Sequence, residues 1–215
     1  MVLITRLKDR EIMKEFVVNL VLFVVLCVAF SSLEGCSGSQ ANAPAINGYS
    51  AGSKPAGDKS SSAYPAISAG MAGVDIEALD GTKTKVSDHK GKVLMLNLWG
   101  IWCGPCREEM PHLAQMYKQY EGKGLEVISL NVGDHDLRPE PMENIKSFVT
   151  QMKLDYPIAR ITSDSVGQFY MVSKAQAIPQ TFMIDREGRL RGVWVGGGQN
   201  VFNQLQAALD KTMNE

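Results

Sequence analysis

Two cysteines three positions apart, Cys103 and Cys106, stand in the run Trp102-Cys103-Gly104-Pro105-Cys106. Such a pair can close a small-ring disulfide or, as thiols, contribute to a metal site. A structural zinc site wants four ligands. No second Cys-x-x-Cys and no Cys/His pair exists here, and the histidines at 89, 112 and 135 are scattered, so no metal is expected. Two ordinary core cysteines are the plain alternative. The surroundings oppose it: an apolar strand leads in, an aromatic precedes, and the pair opens a helix. Amides at a helix N-terminus favour a thiolate, which makes Cys103, at the exposed end of the junction, the nucleophile. Cys106, one turn further in, is placed to resolve a mixed disulfide. A Cys-x-x-Cys beside a βαβ pattern is a strong redox signal.

The elements that must position this pair follow from the pattern. Val93–Trp99 (VLMLNLW) is short, apolar and nearly continuous, as in a buried strand. A helix follows from about Pro105 to Tyr120, with Met110, Leu113 and Tyr117 on one face and Pro111 as an interruption. Upstream, Asp80-Gly81 sits between alternating runs at Val74–Leu79 and Thr82–Val86 and reads as a hairpin turn. Downstream come a buried strand at Leu125–Asn131, an amphipathic helix at Met142–Met152, a short extended run at Tyr156–Arg160 and a short helix at Asp164–Met171. Strands at Thr181–Asp185 and Leu190–Val195 flank a turn at Arg186–Gly188, and a helix at Gln199–Met213 closes the chain. Parallel strands first and an antiparallel hairpin late predict an α/β fold with a mixed sheet flanked by helices. Gly196-Gly197-Gly198 follows a late strand without a phosphate-loop signature, so it reads as a turn.

The chain has 215 residues, 45% hydrophobic and 21% charged, with a formal net charge of −1. That supports a packed core and, with no basic run, gives no reason to expect a nucleic-acid partner. Residues 16–30 read FVVNLVLFVVLCVAF, too short for a membrane span of about 20 residues but suited to a signal-peptide core. Cys27 lies inside that run without an evident chemical role. Met13 begins a compact n-region followed at once by apolar residues, MKEFVVNLVLF, and reads as the initiator. Residues 37–66 are rich in Ser, Gly, Ala, Pro and Lys and read as a flexible linker. The domain plan is therefore a signal segment over 1–36, the linker over 37–66 and a catalytic domain over 67–215.

The run Trp102 to Cys106 resembles the thioredoxin active site. Pro111, five residues after the second cysteine, matches that family's helix proline, and Ile178-Pro179 followed by Thr181-Phe182 is similar to its cis-proline loop. The resemblance implies a three-layer thioredoxin-like fold, with Trp102, Gly104 and Pro105 in the active-site loop and Ile178 and Pro179 receiving an extended substrate. An ordinary trans proline opening a strand is the alternative for Pro179. The wider resemblance, over about Ile67 to Gly198, is to the membrane-tethered TlpA-like and ResA-like proteins of the redoxin, or AhpC/TSA, type. It rests on NLWGIWCGPCREEMP, SDHKGKV, NVGD and FMIDREG, and on about 25 residues between Asn131 and Pro179 beyond simple thioredoxins. Leu33-Glu34-Gly35-Cys36 resembles a bacterial lipobox, which implies lipidation of Cys36, although Glu34 departs from the pattern. An uncleaved anchor and plain cleavage are the alternatives; all three place the body outside the cytoplasm.

Cytoplasmic thioredoxins carry a buried Asp six residues before the first cysteine, where this chain has Asn97. Deprotonating Cys106 still needs a base. Glu109 matches a glutamate of ResA-like members and shares a helix face with Cys106. Glu109 is thus the candidate acid–base group, and Glu108 a solvated neighbour. Trp99 and Trp102 are read as packing around the site, with Trp102 shielding the disulfide.

The resulting expectation is a thiol–disulfide oxidoreductase anchored as a lipoprotein on the periplasmic side and needing no cofactor beyond its own cysteine pair. It would reduce protein disulfides, with apocytochrome c as the substrate the resemblance implies and a membrane thiol-reductant conduit as donor. A disulfide-forming oxidant is the alternative enzyme. Peroxide reduction is disfavoured because Gly100 stands where the peroxidatic pattern has Thr. The non-enzymatic alternative is a redox-inert binding module or chaperone, which the intact cysteine pair argues against.

Overall fold

The computed structural model describes residues 63–215. The expected signal segment, the lipobox with Cys36 and most of the linker lie outside the described residues.

In chain order the elements are α1 (Ala69–Ala72), β1 (Asp75–Ala78), β2 (Lys83–Lys85), a 3-10 turn at Val86–His89, β3 (Val93–Trp99), α2 (Gly104–Tyr120), β4 (Leu125–Asn131), α3 (Met142–Met152), β5 (Ile158–Arg160), α4 (Ser163–Ser173), β6 (Gln180–Ile184), β7 (Leu190–Val195) and α5 (Gln199–Met213). One seven-stranded sheet runs in the order β2-β1-β5-β4-β3-β6-β7. Its centre, β3, β4 and β5, is parallel; β6 and β7 on one side, and β1 and β2 on the other, are antiparallel to their neighbours. The fold is the expected α/β arrangement of a mixed sheet between helices.

The alternation of β3 explains both layers. Val93, Met95 and Trp99 face α2, α3 and α5, where Met110, Leu113, Ile145, Leu205 and Leu209 complete one core. Leu94, Leu96 and Leu98 face the other way, toward Met71 of α1 and Val166 and Phe169 of α4. Every residue of β3 is buried, as its continuous apolar run requires.

Several boundaries differ from the pattern reading. β5 starts at Ile158 rather than Tyr156; Pro157, which precedes it, has no N–H to give a ladder. α4 extends on both sides, from an N-cap at Thr162, whose hydroxyl accepts from the Ser165 amide, to Ser173. α1 and the 3-10 turn went unread because each is only four residues long. The expected hairpin forms between β1 and β2, with Gly81 at φ +87° in its turn.

Ordered pairing also begins before residue 67. The Leu190 amide donates to the Pro65 carbonyl, Ala66 bridges to Arg189, and the Tyr64 ring lies 3.9 Å from the Arg191 guanidinium. The last residues assigned to the linker are therefore fastened to the start of β7. This is the end of β7 opposite Val195, whose neighbour Gly196 donates to the Pro179 carbonyl at the candidate site.

Candidate active site

β3 carries the chain to Trp99, and four residues later Cys103 caps α2 in an extended conformation, its Sγ accepting from the Cys106 amide at 3.2 Å. Pro105 stands in the first turn, where the absent N–H is not missed. Cys103 and Cys106 are joined as a disulfide with their Cα atoms 5.3 Å apart. The expectation that Cys103 marks an exposed end is corrected: it is 4% exposed and Cys106 1%. Both cysteines pack into the core with Trp99 and Met110, and Ile178 lies against that cluster. The ordering survives in weak form, since the first cysteine is the more open of the two.

The Ile178–Pro179 peptide bond is cis. The Gly triplet, read only as a turn, proves to belong to the site. Gly196 donates from its amide to the Pro179 carbonyl at 2.8 Å, and a Cβ on Gly197 would lie 3.8 Å from the Pro105 carbonyl oxygen and 3.9 Å from Pro179 Cγ. The active-site loop, the cis-proline loop and the β7–α5 turn thus meet at one point. No signal in the spacing identified Gly197; its packing between two prolines is a tertiary fact.

Trp102 is 39% exposed, but its ring is held. Its Nε1 donates to the Gly133 carbonyl at 3.0 Å and its ring stacks on His135 at 4.0 Å. Trp99 is fully buried against Phe148 instead. His135, read from the sequence as a scattered histidine, is thereby a neighbour of the site. His89 and His112 are engaged elsewhere, with Glu126 and Phe202 respectively. Among the described residues, no group of three or more His, Cys, Asp or Glu side chains could hold a metal ion.

Glu109 is 1% exposed, while Glu108 on the same turn is solvated. Its Oε2 accepts from Asn97 Nδ2 at 3.1 Å and its Oε1 from Thr181 Oγ1 at 3.2 Å. Burial pushes its pKa up to about 7, against which the hydrogen bonds from Thr181 and Asn97 pull down. A carboxyl poised near neutrality, one helical turn beyond Cys106, can take a thiol proton and return it. The sequence marks Thr181 only as part of the proline loop. Ser129 and Tyr156, whose hydroxyls extend the network, were missed; a lone Ser in the apolar run LEVISLN was the available sign.

Comparison with known proteins agrees with this geometry. The AhpC/TSA family model matches residues 68–193. The thiol–disulfide oxidoreductase ResA of Geobacillus thermodenitrificans is 35% identical over 118 residues, 55% of this chain and 63% of that protein. ResA of Bacillus thuringiensis is 34% identical over 133 residues, 62% of this chain and 70% of that protein. Among solved structures, a Chlorobium tepidum protein described as a DsbE-type thiol:disulfide interchange protein is 25% identical, with a TM-score of 0.57 over 70% of this chain and 96% of its own. A Bacteroides thetaiotaomicron protein described as a protein disulfide isomerase shares the fold at 22% identity, with a TM-score of 0.58 over 71% of this chain and 94% of its own. With a dithiol site at the head of α2 and a family match that spans more than half its length, the chain belongs to the AhpC/TSA family of the thioredoxin superfamily, among its ResA-like thiol–disulfide oxidoreductases.

Proposed function

We propose that this protein reduces protein disulfides outside the cytoplasm, through the Cys103/Cys106 dithiol and with Glu109 as the acid–base group. The observation that carries the reading is Glu109 itself: a buried carboxyl with a pKa of about 7, three positions after the resolving cysteine on the same helix and held by two hydrogen bonds. In the reduced enzyme the Cys103 thiolate attacks one sulfur of the substrate disulfide. A Cys103–substrate mixed disulfide forms and the first substrate thiolate leaves, to be protonated by solvent. Cys106 gives its proton to the Glu109 carboxylate and attacks Cys103 Sγ. The internal disulfide closes and the second substrate sulfur leaves as a thiolate, which takes up the proton that Glu109 returns. Two electrons pass to the substrate, leaving the enzyme oxidised. Helix N-terminal amides support the thiolate of Cys103. The loop at Ile178 and Pro179, flanked by Gly197 and Pro105, offers backbone to an extended substrate. The site needs no cofactor beyond the cysteine pair.

The finer assignment is a lipoprotein tethered through Cys36, facing the periplasmic side. It would take electrons from a membrane thiol-reductant conduit and keep the Cys-x-x-Cys-His cysteines of apocytochrome c reduced. The ResA relatives and the lipobox-like sequence support it. The test is single-turnover reduction of an oxidised Cys-x-x-Cys-His peptide by the fully reduced protein. The wild type should transfer its electrons, Cys103→Ser should not, and Glu109→Gln should slow transfer at pH 7 by about tenfold or more. A wild type that stays reduced beside oxidised peptide refutes the reading.

A further inference from the structure

The register of the central strands places Ser129 (β4), Asn97 (β3) and Thr181 (β6) side by side in one row, on the face covered by α2. Glu109 lies over one end of that row and Tyr156 meets the other. The direction of every hydrogen bond in the chain can be assigned. Ser129 Oγ donates to Asn97 Oδ1 at 3.2 Å. That uses its only proton, so the Tyr156 hydroxyl, 3.0 Å away, donates to Ser129. Asn97 Nδ2 spends its two hydrogens on Glu109 Oε2 and Thr181 Oγ1, both at 3.1 Å. Thr181 then donates to Glu109 Oε1 at 3.2 Å. All protons point toward the carboxylate.

Asn97 is the element of this chain that could fail. Its amide oxygen and nitrogen are nearly the same size, and a half-turn would exchange them. Toward an ionised Glu109 the turned amide is repelled. Toward a protonated Glu109 it is favourable, because Oδ1 would accept the acid proton and hold it. Ser129 opposes the turn, since a hydroxyl already committed as donor by Tyr156 requires an acceptor at Asn97.

We propose that Ser129 and Tyr156 are positioning residues for Glu109: they lock the Asn97 amide with one N–H on the Glu109 carboxyl and the other on Thr181, so that the carboxyl accepts a proton from Cys106 without the amide trapping it. The inference rests on Glu109 as the acid–base group of the exchange. Burial and the bonds from Thr181 and Asn97 account for its titration, and Tyr156 in turn feels its charge. On its own helix Cys106 lies three positions before it, on the same face, and is closed in the disulfide, so it carries no titrating proton in the oxidised protein.

The test is a carboxyl-carbon NMR titration of Glu109 in the oxidised protein, with Glu109→Gln to assign the signal. Ser129→Ala should raise the midpoint by about 0.5–1 pH unit, the worth of one buried hydrogen bond. Ser129→Thr, which keeps the hydroxyl, should restore it. Tyr156→Phe should shift it in the same direction by less. A role in packing alone would lower the melting temperature and leave the midpoint in place. A shifted midpoint with an unchanged pH profile of disulfide exchange upholds the positioning and refutes Glu109 as the base. An unchanged midpoint in both Ser129→Ala and Tyr156→Phe overturns the positioning, whatever Glu109→Gln does to the rate.

Discussion

Thr181 and Glu109 lie 72 residues apart in the chain and share a buried hydrogen bond of 3.2 Å. That bond ties the strand leaving the cis-proline loop to the helix that starts at the disulfide. The backbone proposed to receive substrate and the side chain proposed to handle the proton are thereby joined through one buried bond. Thr181→Val removes the donor to Glu109 and leaves an N–H of Asn97 unpaired in the core. We expect a loss of about 1–3 kcal/mol in denaturant unfolding and a higher Glu109 midpoint. A loss under about 0.5 kcal/mol would show that the bond contributes nothing.

Burial of Glu109 has a consequence for stability. Its folded pKa, about 7, stands above the unfolded value of 4.5. The folded state therefore holds the proton more tightly. The associated stability is fully present below pH 4.5 and is lost as pH rises through 7. At about 1.4 kcal/mol per pH unit, the wild type should lose roughly 3 kcal/mol relative to Glu109→Gln between pH 4 and pH 8. Glu108→Gln should track the wild type. Parallel stability curves for wild type and Glu109→Gln would mean that the carboxyl titrates normally.

The order of attack predicts which variant captures substrate. Cys106→Ser should accumulate mixed disulfides at Cys103, visible as mass adducts, because resolution is blocked. Cys103→Ser should accumulate none. Trapping by Cys103→Ser instead would reverse the roles.

Gly133 supports Trp102 through its carbonyl and sits at φ +95°, where an added Cβ would collide with the Arg138 carbonyl oxygen. Gly133→Ala should cost about 2 kcal/mol or more and release the indole from His135. Tryptophan emission should shift to the red and quenching should increase. An unchanged spectrum and stability would show that the loop yields freely.

Much of this domain is legible without coordinates. β3, β4 and α3 have strong apolar patterns, and β4, α3, β7 and α5 fall on the residues the pattern assigns. The cysteine pair reads directly, since its chemistry depends on spacing of three. Other features depend on register. Ser129, Asn97 and Thr181 become neighbours only because β3 pairs with β4 and β6 in one particular alignment, and a shift of one residue would turn them to opposite faces. Gly197 and Gly133 are likewise defined by what lies against them. The attachment of the β1–β2 hairpin to β5 is a non-local choice that neither strand's short sequence encodes alone.

The central claim is that the Cys103–Cys106 pair serves as a reductant, and its reduction potential tests that most directly. Equilibration with defined dithiothreitol or glutathione buffers at pH 7, read by quantitative alkylation, gives the value. We predict a midpoint at or below about −220 mV, in the range of reducing thioredoxin-like proteins. A midpoint near −120 mV, the range of strong disulfide-forming oxidants, would contradict the account.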